Sequence, residues 1–528
     1  MYFALRSRTT LIAGIAVFLF SSLLIFFLTA DLFQPSIDEG IYLEGGHRVL
    51  QGEVPYRDFF AYTGPLVYWI QAALETAFGP DMRMLRLSVI LPVGFTCLGI
   101  YWMAERFAGW QSGIAVALVF LGMRMPSFQH FTVSHRWLST CFMTLSIAAA
   151  LDAARLDPAR DVRARWLWCA AGALAAAAAW STPPYLIPLA ILTLWTASRG
   201  VAKIGTRMAL AFLAGGVLLV SLPALLWMAG HHALVPMLDK LIWASRQYEV
   251  ANRVPFGYYP YGFQTGRNAV GVFGKALAWI KDVRMMIPVV LVPLSIVLGM
   301  IQMIRGRWKG PAALLVWLAL GMLLTTWPRW DVNLLIGVTP PCYVLLLIWC
   351  EETMRSGNAI VRAAILSAYL VALTLSFTYA AQLLSTVDAF VYFPTRFGLQ
   401  RNIEEDGDAY AALEQRIPEG ESVFVFPYLP VINYMLKTRN PTSYAWLQPG
   451  MMSREDEAIV LHELEAGPPK FILRQYYPDV RVLNVWPNSD RSRMRFPSIE
   501  DFIASRYMAV DKVTSPHFEM TVFERRVR

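Results

Sequence analysis

The feature that most constrains this chain is a succession of apolar runs, each long enough to cross a bilayer or nearly so. A transmembrane helix needs about 20 mostly apolar residues, and Leu11–Ala30 supplies the first, behind Arg6 and Arg8. A cleaved leader would have a shorter apolar core and a small-residue cleavage site, so the segment reads as a retained signal anchor. Further runs lie at 85–103, 113–125, 137–151, 166–180, 185–197 and 208–229, then at 285–304, 312–327, 332–350 and 360–384. Only 16% of the 528 residues are charged, against about a quarter in soluble domains. That balance excludes a soluble multidomain enzyme, a disordered scaffold and a nucleic-acid binder.

One segment decides the topology. Residues 64–78 (GPLVYWIQAALETAF) are apolar enough to pass for a span, yet Tyr68, Gln71 and Glu75 share one helical face, as in an interfacial helix. Cytoplasmic loops collect Lys and Arg. Leaving 64–78 out gives eleven spans and places Arg199, Lys203 and Arg207, then Arg305, Arg307 and Lys309, on the cytoplasmic side. Counting it would turn those loops outward. The expected organisation is therefore an all-α polytopic membrane domain over residues 1–385, with outer loops at 31–83 and 231–284. A C-terminal extramembrane α/β domain over 386–528 follows. The charge split agrees. Residues 1–385 carry 29 Lys/Arg against 18 Asp/Glu, and 386–528 carry 17 against 20. The basic excess that makes the net charge +8 thus belongs to the membrane part.

In the tail, the pattern predicts helices at 408–416, 454–465 and 499–506 and strands at 422–426, 470–474 and 518–523. The five cysteines lie in or beside apolar runs and form no disulfide framework or metal spacing. His130 and His135, or His231 and His232, lack a third ligand nearby, so no metal site is expected. The span interiors hold almost no ionisable residue, which argues against an ion-coupled transporter.

The sharpest motif follows the first span: Pro35-Ser-Ile-Asp38-Glu39-Gly40-Ile-Tyr42, then Pro55-Tyr56-Arg57-Asp58-Phe59-Phe60 and Gly64-Pro65-Leu66. Two carboxylates a short loop beyond the hydrocarbon edge meet the level of a lipid phosphate. This pattern resembles the GT-C superfamily of polytopic glycosyltransferases, which includes protein O-mannosyltransferases and lipid A aminoarabinose transferases. The likeness covers residues 11–385 in architecture, with the distinctive motif confined to 38–66. It implies an inverting hexosyl- or pentosyltransferase that uses a polyprenyl-phosphate sugar as donor. The acceptor would be a glycan, lipid or protein hydroxyl, and no cofactor is obligatory. By that resemblance Asp38 is the general base and Glu39 a neighbouring catalytic carboxylate. Arg57, Asp58, His135, Arg136, Arg329 and Asp331 are candidates to hold the donor phosphate or sugar, with Arg253 and Arg267 as further cations. The chain departs from the family at Gly64, where many members have Pro, and at the 181–184 turn, which lacks the Lys many bacterial members carry. The expected location is a bacterial cell membrane, N-terminus inside and tail outside. Rival readings are a transporter or flippase of a lipid-linked glycan, and an inactive assembly subunit. The Gly- and aromatic-rich stretch 252–262 is a candidate lid.

Overall fold

A computed structural model describes residues 8–34, 36–124, 131–260 and 271–526. His130, Arg267 and part of the 252–262 stretch lie outside the described residues. The N-terminal part is helical: α1 (Arg8–Thr29), α2 (Ile37–Leu50), α3 (Leu66–Phe78), α4 (Met82–Leu85), α5 (Leu87–Arg124), α6 (His135–Ala153), α7 (Val162–Ser181), α8 (Leu186–Ser198) and α9 (Ile204–Gly230). After α10 (Leu234–Trp243) and the short α11 (Glu249–Asn252) come α12 (Gly271–Ile304), α13 (Pro311–Leu324), α14 (Val332–Gly337), α15 (Thr339–Ser356) and α16 (Ala359–Asp388). Among the described residues, four helical stretches are long and apolar enough to cross a membrane: Arg8–Thr29, Met82–Met123, Ile204–Gly230 and Val283–Ile304. The second is interrupted at Gly109, whose φ of 85° is non-helical. Gly113 then packs against the ring and carbonyl of Tyr101. Twelve helical residues would separate those positions by about 18 Å, so the chain doubles back at Gly109, between the two sequence runs 85–103 and 113–125. The run 332–350 is likewise divided, because Pro340 and Pro341 start a fresh helix.

The outward sides of α1 and α9 are apolar and exposed, at Ile12, Leu23 and Phe27 and at Leu219, Leu222 and Leu226. The inward side of α1 is fully buried at Ile25 and Leu28. A helix apolar on both sides is stable only against protein on one and hydrocarbon on the other.

α3 differs from its sequence reading. Tyr68, Gln71 and Glu75 are buried rather than turned to water. Glu75 bonds His47 of α2 at 2.8 Å, Gln71 bonds Ser88 at 2.5 Å, and Tyr68 fills the space over Gly45. This face is covered by α2 and the start of α5, and among the described residues the Tyr68 hydroxyl and the Gln71 Oε1 are buried there without a hydrogen-bond partner.

The C-terminal part begins with a hairpin of β3 (Val391–Thr395) and β4 (Gly398–Asn402), numbered after β1 (Val254–Tyr258), which follows α11, and β2 (Arg329–Asp331) in the 327–331 turn. Next come α17 (Glu404–Arg416), β5 (Val423–Phe426), α18 (Pro430–Met435), α19 (Arg454–Ala466), β6 (Phe471–Gln475), α20 (Asp479–Val485), α21 (Pro497–Arg506), β7 (Tyr507–Thr514) and β8 (Glu519–Arg525). The sheet order is β5-β6-β8-β7, with β5 parallel to β6 and the other pairs antiparallel. The helix α17 starts four residues before its predicted boundary, and β7 has no counterpart in the sequence reading. Met508, Ala509, Asp511 and Lys512 are exposed around a half-buried Val510, which breaks the alternation that announces a strand.

This part packs on the first loop. Arg401 pairs with Asp31 at 2.6 Å, Arg48 donates to the Thr442 carbonyl at 3.0 Å, and the Phe60 amide donates to Ser443 at 2.8 Å.

Candidate active site

Asp38 and Glu39 sit in the first turn of α2, where the helix dipole favours carboxylates. One residue apart on a helix, they point about 100° apart, and their surroundings are opposite. Glu39 is completely buried and receives both arms of Arg86, Nε and Nη2, at 2.9 Å each. Arg86, itself buried at the head of α5, also donates to the Thr29 and Ala30 carbonyls at 2.7 and 3.3 Å. This fork fixes α2 to the end of α1 and the start of α5. Sequence reasoning missed Arg86, although an arginine at the mouth of an apolar run, in a chain with paired carboxylates at another span end, is a readable signal.

Asp38 is solvent-accessible and, among the described residues, makes no hydrogen bond or ion pair. Burial nevertheless lifts its carboxyl above the usual range, and Arg329 and then Arg136 pull it down. Asp38 is thus open to water on one side, with enough protein around it to lift its carboxyl.

Arg136 belongs to the first turn of α6, which Ser134 caps through the Arg136 amide at 3.3 Å. Among the described residues no carboxylate pairs with it. His135, beside it, bonds the Thr182 hydroxyl at 2.7 Å and packs on the Tyr42 ring at 5.6 Å. The 181–184 turn, which lacks a lysine, is thus engaged by this histidine.

Arg329 is held from several sides. It lies on β2, paired parallel to β1, and meets Asp331 at 2.5 Å and the Asn252 side chain at 3.0 Å. Asp331 also caps α14 through the Leu334 amide at 2.9 Å. The carboxylates of Asp331 and Asp38 and the Tyr248 hydroxyl raise the Arg329 pKa, against burial. Two guanidiniums, 193 residues apart in sequence, therefore face one free carboxylate.

Arg57 and Asp58 are not part of this group. They pair with each other at 2.7 Å, Arg57 reaches the His231 carbonyl at 2.9 Å, and Asp58 accepts the Val54 amide at 2.7 Å. They strap the loop after α2 to the 231–233 turn on an exposed face, and the Asp58 carboxyl is held low by Arg57.

Two glycines set close approaches. A Cβ on Gly40 would overlap the Val431 backbone at the start of α18, so the C-terminal part presses directly on α2 two residues from Asp38. A Cβ on Gly64 would overlap the Trp180 carbonyl, while the Gly64 amide donates to Ser181 at 3.1 Å. Proline, with a Cβ and no N–H, fits neither requirement, which explains the departure at this position. Among the described residues, no group of three or more His, Cys, Asp or Glu is placed to hold a metal.

No protein-family model and no curated protein sequence matches this chain. Solved structures do. A crystal structure of ArnT from Cupriavidus metallidurans bound to undecaprenyl phosphate aligns over 96% of this chain and 97% of its own, at 14% identity and a TM-score of 0.57. The archaeal oligosaccharyltransferase AglB from Archaeoglobus fulgidus, in complex with an inhibitory peptide and a dolichol-phosphate, aligns over 88% and 69%, at 11% identity and 0.53. The mycobacterial arabinofuranosyltransferase AftD aligns over 99% of this chain and 42% of its own, at 12% identity and 0.52. The chain has the GT-C fold.

Proposed function

We propose that this protein is an integral-membrane, inverting glycosyltransferase. It moves a sugar from a polyprenyl-phosphate donor to an acceptor hydroxyl at the outer face of the membrane. The observation that carries the reading is Asp38: an unpaired, water-accessible carboxylate of raised pKa, set opposite two arginines at the head of a membrane helix bundle. An acceptor hydroxyl within reach gives its proton to Asp38 as its oxygen attacks the anomeric carbon. The bond from that carbon to the phosphate oxygen breaks, and the departing lipid phosphate carries the negative charge. Such base assistance contributes about 10²–10⁴ in rate. In this reading Arg136 and Arg329 stabilise the leaving phosphate, which their influence on Asp38 supports. Glu39, saturated by Arg86, acts as a positioning residue for Asp38, and Arg57 and Asp58 as an outer strap. In this reading eleven helical spans separate a cytoplasmic N-terminus from a tail on the outer side. The solved structures with bound undecaprenyl phosphate and dolichol-phosphate support the donor class.

Purified protein in detergent, with no second compartment, tests the activity against a flippase. Donor consumption with release of polyprenyl phosphate is expected. A lipid-linked sugar that moves between leaflets of proteoliposomes but is never cleaved would overturn the assignment.

A further inference from the structure

Two tyrosines that the sequence reading did not single out lie beside Asp38 and its two arginines. Tyr62, from the first outer loop, lies within electrostatic reach of Asp38 and Arg136, and Tyr248, one turn before Asn252, lies within reach of Arg329. Their rings stack at 6.0 Å and 28°, and Trp446 of the C-terminal part closes on Tyr62 at 5.8 Å. Both tyrosines are half-buried, and among the described residues neither hydroxyl has a hydrogen-bond partner. The Tyr248 backbone is fixed by Asn252, whose side chain donates to its carbonyl at 3.0 Å while accepting from Arg329.

The charges nearby restrict what can lie against these hydroxyls. Asp331 is spent on Arg329 and on the cap of α14. That leaves Asp38 as the unengaged carboxylate among the described groups of this site, under the influence of Arg329 and Arg136. With a donor bound, its singly charged phosphodiester and Asp38 balance the two arginines, so an ammonium on the sugar would be an extra positive charge with only Asp38 left to pair with. Pairing with Asp38 would stabilise the carboxylate and weaken it as a base. A site with one free carboxylate cannot neutralise a cationic sugar and deprotonate an acceptor at once.

We propose that Tyr62 and Tyr248 form the sugar subsite, donating to and accepting from ring hydroxyls, and that the site takes a neutral sugar and rejects an amino sugar. This rests on the glycosyltransferase reading above. Discrimination of this kind comes as much from the unfavourable charge as from the favourable hydrogen bonds.

The test is binding to purified full-length protein, read as apparent Kd by native mass spectrometry. The probes are undecaprenyl phosphate alone and undecaprenyl phosphate carrying mannose, arabinofuranose or 4-amino-4-deoxyarabinose. At least one neutral head should bind about three- to tenfold more tightly than the bare lipid phosphate, the worth of one or two hydrogen bonds. Tyr62→Phe and Tyr248→Phe should each reduce that gain while leaving the bare lipid unchanged, and the amino sugar should add nothing. An amino-sugar lipid that gains as much, no gain for either neutral head, or phenylalanine variants that weaken the bare lipid equally would overturn the subsite. Failure of the bare lipid phosphate itself to bind would instead overturn the glycosyltransferase reading.

Discussion

Replacing Glu39 by alanine removes both acceptors of the Arg86 fork while leaving Asp38 untouched. In the folded protein Arg86 is 1% and Glu39 0% exposed, so the guanidinium left behind has no water to turn to. Among the described residues it keeps only the Thr29 and Ala30 carbonyls. Breaking a buried pair in this way costs about 3–5 kcal/mol, a large share of the roughly 5–15 kcal/mol that holds a typical domain. Replacing both partners with apolar side chains of similar volume, Glu39→Leu with Arg86→Met, removes the stranded charge and should recover more than half of the loss. The assay is reversible urea titration in detergent micelles, run beside donor turnover on each variant. Asp38→Asn should show the converse pattern, with unaltered stability and little turnover. A Glu39→Ala variant within about 1 kcal/mol of the parent but without activity would refute the division of roles, because Glu39 would then belong to the chemistry.

Arg329→Ala and Arg136→Ala should each lower kcat by about 10²–10³, the usual effect of losing one charge-stabilising donor. Arg57→Ala should leave kcat within about twofold, since that side chain is exposed and already paired. The activity of the parent should fall as pH drops through the raised pKa of Asp38, placing the acid limb of kcat/KM above the ordinary carboxylate value of about 4. Because Arg329 lowers that pKa, Arg329→Ala should move the limb to higher pH. Glu44, buried in α2, has its carboxyl pushed up to about 7, chiefly by burial. A pKa raised above its unfolded value means that stability is full below about 4.5 and declines as pH rises through 7. Glu44→Gln should therefore stabilise the protein by about 1–3 kcal/mol at pH 8, with the difference vanishing toward pH 4.5, as read by thermal unfolding across that range.

Much of the helical scaffold was legible because hydrocarbon imposes its length on a sequence. The break at Gly109 fell between two apolar runs, and α3 appeared where its composition placed it. The Asp38–Glu39 pair stood out in the sequence because paired carboxylates beside a span end are uncommon. What the sequence concealed was which carboxylate stays free. Asp38 and Glu39 differ by one methylene and one position. Their fates are set by Arg86, 47 residues later, whose fork reaches only the second of them. Arg57 stood in the densest part of the motif, yet its neighbour Asp58 and the His231 carbonyl hold it elsewhere. Arg136 and Arg329 converge through helix packing and the β1–β2 pairing, which no local pattern encodes. The pressure of α18 on Gly40 escaped for the same reason, being a contact across almost 400 residues.

The central claim is that Asp38 is the base, and transfer by purified Asp38→Asn protein tests it most directly. The expected result is a loss of about 10²–10⁴ in kcat with donor binding and thermal midpoint unchanged. Full transfer activity in that variant would contradict the account.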